Sequence, residues 1–277
     1  METRFSRMLC LLLCLWFGSC SSTGNREGWL VIVGGGGTTQ AIQERAIALA
    51  GGPGAKVVVF PQASELAETG PEVCEMWKER GAGSAVVGDP SQEAEALQLI
   101  AEADLIWFPG GVQTRLMDAL GPNLPEAIRR RHGEGAVVGG TSAGAAVMSE
   151  VMITGEIEGS DEQDSGLNFV RSQTVETKQG LGMVDWAVVD QHFLRRRRFH
   201  RLLSCVMDHP KLVGIGVDER TAAIVQGRSI EALGEGQVLI LDARDGHVET
   251  ASKGKPAGGG NYRLHLLREG MPAHLVR

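Results

Sequence analysis

From residue 29 onward, short runs of apolar residues alternate with longer stretches in which apolar side chains recur every three or four positions. Trp29-Leu30-Val31-Ile32-Val33 is apolar throughout and stops at Gly34-Gly35-Gly36-Gly37, which predicts a strand buried on both faces. Residues 38–49 place Ile42, Ala46, Ile47 and Leu49 on one helical face. The alternation continues with strands over 57–60, 84–87, 105–108 and 136–138, and helices over 71–80, 93–103 and 112–120. Strands apolar on both sides, spaced by helices, predict an α/β fold: a mostly parallel twisted sheet covered by helices on both faces.

The C-terminal part has a different rhythm. Residues 184–189, 213–217, 222–225, 229–233 and 238–241 read as extra strands with few helices between them. Residues 262–267 are a candidate to close the sheet, and the Gly- and Lys-rich stretch 243–260 reads as an exposed loop. No internal repeat or linker interrupts residues 29–277, so a single domain is expected there.

The first residues follow another logic. Arg4 and Arg7 precede an apolar run over 8–17, and Gly18-Ser19-Cys20 supplies small residues after it. This order predicts a signal peptide over 1–19, because the run is too short to span a bilayer as a helix. Phe17-Gly18-Ser19-Cys20 resembles a bacterial lipoprotein signal, with Cys20 as the lipidated residue; plain secretion is the alternative. Export to the periplasm or the exterior is therefore expected, with membrane contact only through a lipid on Cys20 and residues 20–28 as a tether. Cys74 and Cys205 show no spacing signature and are expected to be buried free thiols.

Charge narrows the function classes. The chain has 277 residues and a formal net charge of -7, so no basic field is available to hold a nucleic acid. No Cys/His spacing suggests zinc, and no metal or cofactor is expected. The glycine run 34–37 lacks the Gly-Lys-Ser/Thr of a phosphate loop, and Thr39 occupies the last position of a Gly-x-Gly-x-x-Gly pattern. It reads as a tight turn.

Gly139-Gly140-Thr141-Ser142-Ala143-Gly144-Ala145 is where chemistry is expected. A strand, two glycines, Ser and a small-residue helix form a sharp turn that exposes the serine above a sheet as a nucleophile. The backbone N–H of Ala143, at the helix start, suits an oxyanion. Among seven histidines, His192 follows a strand-like run in Asp190-Gln191-His192-Phe193, which predicts a place at a strand end near Ser142. The orienting acid stays open on spacing: Asp218-Glu219 also follows a strand, Glu156 and Glu158 lie after the serine helix, and Asp190 lies two positions before His192.

Four stretches carry a resemblance: Phe108-Pro109-Gly110-Gly111-Val112-Gln113, Gly140-Thr141-Ser142-Ala143-Gly144-Ala145, Asp190-Gln191-His192-Phe193, and the run from Gly214 through Asp218-Glu219-Arg220-Thr221-Ala222. With them the chain resembles the S51 serine peptidases, and within them the cyanophycinases. The resemblance implies a flavodoxin-like or class I glutamine amidotransferase-like sheet and a Ser-His-Glu triad of Ser142, His192 and Glu219, with Glu156 as the other acid. It also implies Gly111 as the second oxyanion donor and Gln113, Asp190, Gln191, Arg196, Arg198 and Arg201 as substrate contacts; Arg195 and Arg197 read as a solvated face. The implied substrate is cyanophycin, a poly-aspartate with arginine on each β-carboxylate, cleaved to β-Asp-Arg dipeptides. Its carboxylates would suit guanidinium clamps and its guanidinium groups an acid such as Asp190.

The family commonly has Asp where this chain has Val112, which bears on substrate choice. An aspartyl dipeptidase of the same family is one alternative, and a non-catalytic lipoprotein that binds an acidic peptide is another. An amidotransferase would carry Cys in place of Ser142. A homodimer is implied by the resemblance alone.

Overall fold

The computed structural model describes residues 27–157 and 169–275. The expected signal peptide, Cys20, most of the tether and Glu158 lie outside the described residues.

The first half alternates as its hydrophobic pattern requires: β1 (Leu30–Val33), α1 (Gln40–Leu49), β2 (Lys56–Val59), α2 (Thr69–Glu79), β3 (Ser84–Val87), α3 (Glu93–Glu102), β4 (Leu105–Phe108), α4 (Gln113–Leu120), α5 (Asn123–Gly133), β5 (Val137–Thr141) and α6 (Ala143–Ala146). Helix α5 has no counterpart in the sequence reading, because Pro125 and three arginines obscure its pattern. Its buried Leu124, Ile128 and His132 nevertheless repeat every fourth residue and face the core.

The second half is β6 (Val151–Ile157), β7 (Val175–Gln179), β8 (Ala187–Gln191), α7 (Phe199–Asp208), β9 (Val213–Val217), β10 (Thr221–Gln226), β11 (Ser229–Gly234), β12 (Val238–Asp242), β13 (His247–Glu249), β14 (Gly258–Gly260), β15 (Arg263–Leu267) and β16 (Pro272–His274). Two corrections follow. The stretch read as a loop holds a ribbon of β13 and β14, and β15 closes no single sheet but edges a second, smaller one.

The large sheet has the order β16-β11-β10-β1-β5-β4-β2-β3. Its five strands from β1 to β3 run parallel, and β10, β11 and β16 extend it antiparallel beyond β1. The small sheet has the order β15-β12-β9-β8, with β8 and β9 parallel. Antiparallel neighbours need only short turns, which is why the C-terminal strands follow one another without helices.

Alternate side chains serve opposite faces of each strand. Val31, Val33, Val57, Val59, Leu105 and Trp107 pack under α1 and α2, where Trp77 meets Trp107 edge to face at 4.9 Å. Leu30, Ile32, Val58, Ile106 and Val138 belong to the other face, with α3, α4, α5 and one side of the small sheet through Val189, Ile215 and Ile240. The small sheet's outer side, through Val188 and Leu239, is covered by Leu202, Cys205 and Val206 of α7. Cys74 and Cys205 are buried free thiols in different clusters, and burial raises the pKa of each. Among the described residues, no helix is long and apolar enough to cross a membrane.

His132 closes the end of α5 at 4% exposure, and its Nε2 has no hydrogen-bond partner among the described residues. Burial pulls its pKa down to about 4. Below the ordinary histidine value of about 6.5 the unfolded chain takes up a proton there that the folded protein refuses, so stability falls as pH drops from about 6.5 toward 4. The full shift corresponds to an upper figure of about 3 kcal/mol. His132→Gln is therefore expected to flatten the decline of Tm between pH 7 and 4.5 in thermal melts; an unchanged slope would assign the acid sensitivity elsewhere.

Candidate active site

Strands β1, β5 and β4 are neighbours in the large sheet, so the glycine-bearing turns at their C-terminal ends meet at one point. Ser142 leaves β5 at φ 55° and ψ −112°. A side-chain-bearing residue held there costs about 1–3 kcal/mol, which the surrounding structure must override. It does so from both sides: the Ser142 N–H donates to the Val33 carbonyl at 3.0 Å, and the Ser142 carbonyl accepts from Ala145 and Ala146 of the α6 turn.

The Gly110-Gly111 turn lies directly beside the serine, since a Cβ on Gly110 would stand 3.3 Å from Ser142 Cβ. Gly111 has φ 139°, and a Cβ there would overlap the Ala63 carbonyl, so glycine is required. Ala143 is the first residue of α6, and its N–H has no carbonyl one turn earlier within the helix. Gly110 and Ala143 thus adjoin Ser142, and Gly111 follows Gly110 in the turn.

His192 and Glu219 come from the small sheet. Strands β8 and β9 are parallel with Gln191 opposite Val217, so the residues that follow them leave at the same level. Beyond β9 the chain crosses through Asp218, Glu219 and Arg220 into β10 of the large sheet, beside β1. The crossing is bound to the glycine turn of β1: Gly34 N–H donates to Thr221 O at 3.0 Å and Arg220 N–H to Gly35 O at 2.7 Å. The His192 N–H donates to Gly34 O at 2.6 Å.

The result is a continuous hydrogen-bonded line. Ser142 Oγ lies 2.9 Å from His192 Nε2, and His192 Nδ1 lies 2.7 Å from Glu219 Oε1. A neutral imidazole that donates from Nδ1 to the carboxylate leaves Nε2 free to accept the serine proton. Sequence reasoning missed why β1 ends in four glycines. A Cβ on Gly35 would overlap the His192 ring, and one on Gly36 would lie 2.7 Å from Glu219 Cβ. The run is the floor on which the histidine and its acid rest, and its length, more than a turn needs, was the available signal.

Burial lowers the His192 pKa, its hydrogen bond to Glu219 opposes this, and the Arg196 and Arg198 charges lower it further. The Glu219 pKa is lowered, first by the His192 hydrogen bond. At neutral pH the pair is a neutral imidazole beside a carboxylate, the state a general base needs. The acid limb of kcat/KM is therefore expected below the ordinary histidine value of about 6.5. Glu219→Gln removes the contacts that raise the His192 pKa, so the limb should move further to acid; a shift toward neutral pH would contradict this geometry.

The other expected site residues divide. Arg196 is exposed. Arg195, read as merely solvated, has its Nε 4.0 Å from Glu219 Oε2. Gln113 is 6% exposed and its Nε2 donates to the carbonyls of Ile153 and Thr154, tying α4 to β6. Asp190 and Arg201 are not turned to the cleft: they form a two-pronged ion pair with side chains 0% and 3% exposed, so Asp190 holds a guanidinium of its own chain. Arg198 Nη1 donates to Gln191 O and Oε1. Asp218, beside the glutamate, accepts from the N–H groups of Leu194 and Gln237 and so braces the crossing. Val112 is 47% exposed next to Gly111. The backbone of Glu156 lies in β6. Among the described residues no cluster of His, Cys, Asp or Glu could hold a metal ion.

Comparison with known proteins bears on the family and the fold. The sequence model of peptidase family S51 matches residues 30–233. A cyanophycinase of Geminocystis herdmanii is 36% identical over 234 residues, covering 80% of this chain and 83% of the relative. A cyanophycinase of Trichormus variabilis is 34% identical over 240 residues, covering 82% and 78%. Among solved structures, a peptidase from an acI-B1 actinobacterium superposes with a TM-score of 0.60 at 21% identity, covering 91% of this chain and 98% of that one. A Listeria monocytogenes protein described as a putative peptidase E gives 0.50 at 17% identity, covering 76% and 99%. These two likenesses concern the fold.

Proposed function

The chain belongs to peptidase family S51 and is a serine-type peptidase, and on that premise we propose that it hydrolyses cyanophycin to β-Asp-Arg dipeptides. The observation that carries the chemistry is the line from Ser142 through His192 to Glu219. Ser142 Oγ attacks the scissile carbonyl while His192 Nε2 takes its proton, and Glu219 stabilises the resulting imidazolium. The N–H groups of Gly111 and Ala143 face the charge that develops on the carbonyl oxygen. His192 then returns the proton to the leaving amine, and water, activated by the same imidazole, resolves the acyl-enzyme.

Support for the substrate comes from curated relatives at 34–36% identity over about four fifths of the chain, each named a cyanophycinase. Of the three arginines expected to contact substrate, Arg196 is the exposed one and is free to meet a substrate carboxylate. Residues 29–277 are read as one peptidase domain: beyond the matched stretch, β12 and β15 complete the small sheet and β16 the large one. Export through residues 1–19, lipid attachment at Cys20 and a homodimer belong to the same proposal; the first two rest on the charge and hydrophobic order of the leader.

Incubation of the purified protein with cyanophycin, followed by mass spectrometry, tests the substrate. Release of β-Asp-Arg by the wild type and none by Ser142→Ala is expected. An intact polymer beside hydrolysed aspartyl dipeptides would make the protein a dipeptidase, and binding without turnover of either would make it a binding protein.

A further inference from the structure

The basic segment before α7 does something other than wait for substrate. Arg198 is 13% exposed, and its Nη1 donates to the Gln191 carbonyl at 2.6 Å and to Gln191 Oε1 at 2.8 Å. Arg201, one turn further on, grips Asp190 through Nε and Nη2, and Asp190 Oδ1 in turn accepts from the Gln191 N–H at 2.8 Å. The peptide that joins Gln191 to His192 is thereby fixed at both ends, its carbonyl by Arg198 and its N–H by Gly34 O at 2.6 Å. The rotation immediately after that peptide is the φ of His192, which stands at 50°. For a residue with a side chain this is an uncommon setting, and it decides where the imidazole points.

We propose that Arg198, backed by the Arg201–Asp190 pair, is a positioning residue for His192: it holds the Gln191–His192 peptide so that Nε2 meets Ser142 Oγ. This rests on the reading of Ser142 as nucleophile. Arg201 is 3% exposed and spends Nε and Nη2 on Asp190, so it is withdrawn from the surface a substrate carboxylate would reach. Arg198 acts through the histidine's backbone.

Diisopropyl fluorophosphate separates positioning from substrate binding, because it carries neither a carboxylate nor a guanidinium. Ser142 Oγ bonds to phosphorus, fluoride leaves, and the serine proton passes to His192 Nε2, so labelling requires the aligned base and the oxyanion donors but no substrate-binding charge. Arg198→Met is expected to slow labelling of the folded protein and kcat by about 100-fold, the cost of a misplaced catalytic group. KM should stay within about twofold, since no ground-state contact is lost. Arg198→Lys, which keeps a donor for the carbonyl, should recover part of the labelling rate. Removing Arg201 alone leaves Asp190 with Arg198 Nη1 at 3.9 Å, so the pair is tested as Asp190→Asn with Arg201→Gln, which removes both charges of the pair and should also slow labelling. Arg198→Met that labels at the wild-type rate with a raised KM would overturn the inference and restore the clamp. A wild type that takes no label on Ser142 would overturn the nucleophile reading, and this inference with it.

Discussion

Ser142→Ala is expected to lower kcat by about 10⁶-fold, the scale seen when a serine nucleophile is removed from an intact triad. The size follows from cooperation: without Oγ, neither the 2.9 Å bond to His192 nor the 2.7 Å bond from His192 to Glu219 has anything to activate. A residual rate above uncatalysed hydrolysis should persist, because the Gly111 and Ala143 N–H groups still stabilise the oxyanion formed by attacking water. Substrate binding should change little, so the loss lies in kcat. Alanine inherits the φ of 55° and its strain, and the melting temperature should barely move. Ser142→Gly, equally inactive, should melt higher, with a gain in stability on the order of 1 kcal/mol. A steady-state assay in which Ser142→Ala keeps a tenth of wild-type turnover would rule out the serine mechanism.

The second large effect is on stability. Arg201→Met takes from Asp190, whose side chain is 0% exposed, the guanidinium that grips both its oxygens, and leaves it Arg198 Nη1 at 3.9 Å. Stranding a buried charge in this way costs about 3–5 kcal/mol. In a domain of this size that corresponds to a fall in Tm of about 6–20 °C, readable by calorimetry or circular dichroism. Restoring neutrality through Asp190→Asn in the same chain should recover much of the loss, since the cost lies in the unpaired charge. An Arg201→Met variant that melts with the wild type would mean that Asp190 finds solvent or another partner.

Much of the first half could be read from the chain because there the hydrophobic pattern is decisive. Strands such as Leu105–Phe108 are apolar on both faces and bounded by breakers, and no other element fits. Helix α5 escaped because Pro125 and Arg129-Arg130-Arg131 hide a fourfold repeat that only burial reveals. The ribbon β13–β14 escaped because its second strand is three glycines, which carry no pattern at all. Ser142 and His192 were legible as residues at strand ends, and Glu219 became so through resemblance. How the fold brings them together was not, since it depends on β5 lying between β1 and β4 and on β9 belonging to another sheet than β10. The pairing of Asp190 with Arg201 was hidden for a related reason. Residue types suited to a ligand are equally suited to each other, and only burial separates the two uses.

The crossing from β9 to β10 has a consequence for when the protein becomes dangerous to its neighbours. Ser142 is synthesised fifty residues before His192 and seventy-seven before Glu219. Glu219 reaches its place only when the chain after it enters the large sheet beside β1, the strand made first. A nascent or half-folded chain therefore carries the serine but no base aligned to activate it. The order of elements along the chain thus places the assembly of the triad after the entry of β10 into the large sheet.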